Sequence, residues 1–152
     1  MTWLAETAML SHGWRRFVLL LVAGAISALS MPPLFFLPAL FVGLPLLVRS
    51  LDGAERLKGI RRFLSPAFVI GFAFGLGYFP VALHWLGAAF LQEGGVFVLL
   101  MVPGILALSA LLALFWGVGT ALAHMLWSSG ALRLVSLATC LAAAEWLRGH
   151  IL

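Results

Sequence analysis

Apolar residues in this chain run in long blocks instead of alternating with polar ones, and short stretches holding most of the charge separate the blocks. A helix of about 20 residues crosses roughly 30 Å of hydrocarbon, so block length is the first discriminator. Five segments result, at residues 16–31, 34–48, 63–91, 96–127 and 132–152. Met31-Pro32-Pro33 separates the first two, and residues 34–48 cover only about 22 Å as a helix. This pair predicts a short hairpin, tight or re-entrant, that returns the chain to the side it left. At about 43 Å the third segment is too long to cross upright and unbroken, and Pro80 predicts a kink within it. Pro103 lies near the start of the fourth segment.

Composition agrees with this pattern. The 152 residues are 64% hydrophobic and 9% charged, with a mean hydropathy of +1.15, whereas soluble domains are roughly a quarter charged. The expected fold is an all-α membrane protein, a single membrane-embedded helical domain over residues 1–152. No internal repeat or low-complexity tract interrupts it. Arg15-Arg16 before an apolar run resembles the start of a signal peptide, but further membrane segments follow instead of a soluble domain. Phe17 directly after the arginines also departs from twin-arginine export spacing.

The net charge of +4 does not point to nucleic acid, because the basic residues flank apolar runs instead of covering a soluble face. Anionic lipid headgroups are their natural partners. Residues 49–62 form a basic loop with Arg49, Arg56, Lys58, Arg61 and Arg62 against Asp52 and Glu55. Cytoplasmic flanks carry the Lys/Arg excess. A cytoplasmic N-terminus with five crossings gathers Arg15, Arg16, the loop and Arg133 inside and leaves Arg148 outside, so the C-terminus is expected on the periplasmic side.

Candidate chemistry concentrates at Glu145-Trp146-Leu147-Arg148-Gly149. Charge at membrane depth is costly, by at least about 2.5 kcal/mol per group on insertion scales. Spacing of three brings Glu145 and Arg148 onto one helix face, where they can pair. Two readings follow: a structural ion pair, or an arginine oriented by Glu145 towards a lipid phosphate or a following domain. Gly71, Gly75 and Gly77 have the spacing of close helix packing, and Gly117 with Ala121 repeats it more weakly. His84-Trp85, near the outer end of the third segment, suits an interface and could meet a headgroup. His124 reads as interfacial, Trp14 and Trp127 as an inner aromatic belt and Trp146 as an outer one. The four histidines have no metal-ligand spacing, and Cys140 lacks a basic neighbour that would make it a nucleophile, so no metal and no cofactor is implied.

Together these features resemble the N-terminal membrane domain of bacterial apolipoprotein N-acyltransferases. The resemblance rests on Arg15-Arg16, on Pro32-Pro33 with Pro38, on the run from Gly71 to Gly77, on His84-Trp85 and most specifically on Glu145-Trp146-Leu147-Arg148-Gly149. It implies a helical bundle of the cell inner membrane, carrying in the family an extracytoplasmic nitrilase-like domain. It further implies transfer of an acyl chain from a phospholipid to the N-terminal amine of a diacylated lipoprotein. A Glu, Lys and Cys triad is the family's catalytic equipment. The one lysine here, Lys58, is expected on the cytoplasmic side, away from Cys140 and Glu145, so no catalytic residue carries over. The resemblance covers about the first third of a family member, and the chain alone is expected to be inactive. Other readings are a non-catalytic membrane scaffold for a separately encoded partner and a small multi-pass transporter.

Overall fold

The computed structural model describes residues 13–54, 65–128 and 130–151. Among these, the protein is all-helical: α1 (Trp14–Ala28), a 3-10 turn (Leu37–Ala39) running into α2 (Leu40–Asp52), α3 (Pro66–Ala82), α4 (Leu86–Glu93), α5 (Val96–Met125) and α6 (Leu132–Ile151). The expected helix of residues 16–31 stops earlier because Leu29, Ser30 and Met31 tighten the last turn with bonds to the carbonyls of Ile26, Ser27 and Ala28. Pro32 and Pro33, joined by a cis bond, follow. The second helix starts at Leu40 instead of residue 34 and runs past 48 to Asp52. Charge alone does not stop a helix, and Arg49 in the last turn suits its negative end.

α3 begins on Ser65, whose extended backbone and hydroxyl cap the Phe68 N–H, with Pro66 in the first turn. The expected single helix over residues 63–91 is two helices bent by 53°. Pro80 lies inside α3, and the break falls after it, at residues 83–85. There the His84 ring nitrogen Nδ1 sits 2.9 Å from the Val81 carbonyl oxygen, so a side chain takes an acceptor that a continuing helix would use.

The bundle is built around α3, which packs on α1 and α5; α6 lies on α5, and α2 on α1. Small residues set these approaches. A Cβ on Gly24 would strike the Phe74 carbonyl, and one on Gly77 the Leu21 carbonyl, so α1 and α3 touch backbone to backbone. Gly71 faces Thr120 and the Trp116 carbonyl, and a Cβ on Gly75 would lie 3.1 Å from Ala113 Cα. Thr120 Oγ1 donates within this contact, 2.9 Å from the Ala67 carbonyl oxygen of α3. α4 folds back on α5, with Phe90 over Gly104.

At 30 residues, about 45 Å, α5 is one helix long and apolar enough to cross a membrane, and α3 with α4 would pass together as a broken span. Five helices contribute to the larger core, which includes Leu20, Leu47, Phe74, Ala123 and Leu137. A second core, around Tyr78, Phe79, Leu112 and Ala113, draws on α1, α3 and α5.

Candidate functional site

Trp116 on α5 is the hub. Its indole lies against three rings of α3, Phe74, Tyr78 and Phe79, with centroids 5.7, 5.0 and 5.2 Å away. These aromatic residues recur on α3 at helical spacing, and such ring pairs add to the area they bury. The indole N–H needs an acceptor in this setting, and a carboxylate between apolar helices needs donors. One bond serves both, since Trp116 Nε1 donates to Glu145 Oε1 on α6. The other oxygen, Oε2, is 2.7 Å from Arg148 Nη2. With both oxygens engaged, Glu145 is arranged to fix an indole and a guanidinium in place. Arg148 is about one-third exposed, at 33%, which leaves it able to reach an anion beyond the protein.

The sequence indicates the Glu145–Arg148 pairing through its spacing but contains no local sign of Trp116, which lies 29 residues earlier. It also misses a counterpart at the other end of α6. Asp52 Oδ1, at the end of α2, accepts from Trp127 Nε1 at 3.0 Å and from Arg133 Nη1 at 2.8 Å. Nearby, the Arg16 guanidinium donates to the Ser50 carbonyl. The start of α1, the end of α2 and the start of α6 therefore share one end of the bundle.

The remaining candidates are not gathered around either cluster. His84 and Trp85 are exposed at the bend between α3 and α4. Trp146 is 64% exposed, and its ring lies tilted against His150 with centroids 4.1 Å apart. Gly71, Gly75 and Gly77 are buried at the helix contacts described above. His124 is buried near the end of α5, beside the Trp127 ring. Among the described residues no group of three or more His, Cys, Asp or Glu side chains is placed to hold a metal ion.

Comparison with known proteins decides the family. A profile described as the apolipoprotein N-acyltransferase N-terminal domain matches residues 23–152. The chain belongs to the apolipoprotein N-acyltransferase family. It is similar to the apolipoprotein N-acyltransferase of Rhodopseudomonas palustris, at 44% identity over 149 residues covering 98% of this chain and 27% of that protein. The apolipoprotein N-acyltransferase of Agrobacterium fabrum is likewise 44% identical over 150 residues, covering 97% of this chain and 28% of its own length. That of Brucella suis is 40% identical over 150 residues, with coverages of 97% and 28%. The chain thus spans little more than a quarter of the length of these apolipoprotein N-acyltransferases. Of the residue types in the triad implied by the resemblance, Cys140 is half-buried, packed against the larger core. Lys58 and most of the basic loop, residues 55–64, lie outside the described residues.

Proposed function

We propose that this chain is the lipid-embedded scaffold of an apolipoprotein N-acyltransferase and is inactive by itself. In the whole enzyme the reaction is acyl transfer from a phospholipid to the N-terminal amine of a diacylated lipoprotein. The match of residues 23–152 to the family's N-terminal domain carries this reading. The scaffold sits in the bacterial inner membrane with five crossings, the first two forming a short hairpin, and with its N-terminus cytoplasmic. The charge distribution supports this orientation. Arg15, Arg16, Arg49 and Arg133 collect at the end where Asp52 meets Trp127, and Arg148 is the one arginine of the described residues at the other. A Lys/Arg excess marks the cytoplasmic side.

On this reading Glu145 and Trp116 orient Arg148 at the periplasmic end, where its free N–H groups take a phospholipid phosphate or a contact of the catalytic domain. Guanidinium suits phosphate because its donors form a planar fork. The test is a chimera in which this chain replaces the matching part of the Rhodopseudomonas palustris protein. N-acylation of a diacylated lipoprotein is expected from the chimera and not from the 152-residue chain. Product formed by the chain alone at the chimera's rate would overturn the proposal.

A further inference from the structure

Besides the Glu145–Arg148 end, the molecule has an open cavity of about 810 Å³ between α2 and the first turn of α6. Its wall is apolar along α2, through Leu40, Phe41, Leu44 and Val48, and its far end is charged, with Arg49, Asp52 and Arg133. Leu37 and Asp52 bound the cavity, and 15 residues of nearly continuous helix separate them by about 22 Å. That exceeds the roughly 15 Å half-thickness of the hydrocarbon core, so the trough is long enough for an acyl chain of one leaflet.

The charged end is not balanced internally. Asp52 is committed to Arg133 and to the Trp127 indole. Arg49 is exposed and has no ion-pair or hydrogen-bond partner among the described residues. Arg133 has one guanidinium nitrogen on Asp52 while its side chain stays 38% exposed, so the rest of its fork can meet a ligand. Two arginines against one aspartate leave the mouth of an apolar trough positive. Basic pockets between membrane helices on the cytoplasmic side suit anionic headgroups.

We propose that this cavity seats one anionic phospholipid, its phosphate on the guanidinium groups of Arg49 and Arg133 and an acyl chain along α2. The lipid is a resident ligand at the end opposite Arg148, not the acyl donor. Its assignment to the cytoplasmic leaflet rests on the orientation proposed above, whereas the binding site itself does not. Asp52 contributes by holding Arg133 in place while repelling a second anion.

Native mass spectrometry of the purified 152-residue chain, delipidated and then titrated with phosphatidylglycerol or phosphatidylcholine of identical acyl chains, tests this. One phosphatidylglycerol is expected to be retained in preference to phosphatidylcholine. Arg49→Gln should weaken that retention about tenfold, the loss of one charge-assisted contact. Leu44→Trp, which fills the trough, should lower retention of both lipids. Equal retention of the two lipids overturns the proposal, as does a preference that survives both Arg49→Gln and Leu44→Trp. Failure of the chain to enter membranes at all would instead sink the scaffold reading, so the two failures are distinguishable.

Discussion

Asp52, at the end of α2, and Glu145, further along α6, stand in matching company, each accepting from one tryptophan indole and pairing with one arginine. Their sequence relations differ. Glu145 meets Arg148 within a single turn of α6, while Asp52 reaches Trp127 and Arg133 across 75 and 81 residues. Glu145 therefore sets a side chain on its own helix and attaches that helix to α5, whereas Asp52 ties the end of α2 to the start of α6. The first cluster orients an arginine that stays one-third exposed. The second closes the bundle.

The largest effect that breaks this comparison is expected at Trp116, because it belongs both to the α3 aromatic cluster and to Glu145. Trp116→Ala should destabilise the detergent-solubilised chain by about 3–5 kcal/mol, as for large-to-small changes in cores. Trp116→Phe keeps most of the ring contacts and should cost about 1–3 kcal/mol, the range for an unsatisfied polar partner. Denaturant unfolding followed by helical circular dichroism measures both, and no loss in Trp116→Phe would mean that the indole N–H contributes nothing.

Next in size is Asp52→Ala, which strands two donors and unties α2 from α6. The Arg133 side chain is 38% exposed, so water recovers part of the loss and about 1–2 kcal/mol is expected. Protease nicking between α2 and α3 should accelerate with it. Glu145→Gln keeps an acceptor for the indole and loses only a partly exposed charge pair, so about 0.5–1 kcal/mol is expected. The same variant in the chimera should raise the KM for phospholipid while kcat holds, because it loosens Arg148 without removing it.

The double variant Asp52→Ala with Glu145→Gln sharpens the comparison further. Asp52 contacts Arg133, 12 residues or about 18 Å before Glu145 along α6, beyond the range of ordinary coupling. Their effects should add within about 0.5 kcal/mol in the same unfolding assay. A larger discrepancy would show one connected network instead of two.

What the sequence made legible follows the same division. Helical class, the long apolar α5 and the Glu145–Arg148 pairing depend on composition, block length and spacing within one turn, all of which are local. The tie at Asp52 was hidden because nothing near residue 52 specifies a partner 81 residues away, and Asp52 read as loop charge until α2 extended to include it. Gly71, Gly75 and Gly77 read as packing residues, whereas Gly24 of α1, against the Phe74 carbonyl, offers only the weaker Gly24–Ala28 spacing. The break at residues 83–85 eluded a reading centred on Pro80 because it depends on a histidine ring competing for a backbone acceptor. Trp116 looked like any other tryptophan in an apolar run, and only the packing of α3 and α6 on the two sides of α5 distinguishes it.

The account's central claim is that the Asp52 and Glu145 clusters face opposite sides of the membrane. Gly53, beside the first, and Gly149, beside the second, are both exposed. Gly53→Cys and Gly149→Cys, each in a Cys140→Ser background, can be probed in spheroplasts with a membrane-impermeant maleimide. The account predicts rapid labelling of the Gly149→Cys variant and labelling of the Gly53→Cys variant only after lysis. Labelling of both before lysis, or the reverse order, contradicts it.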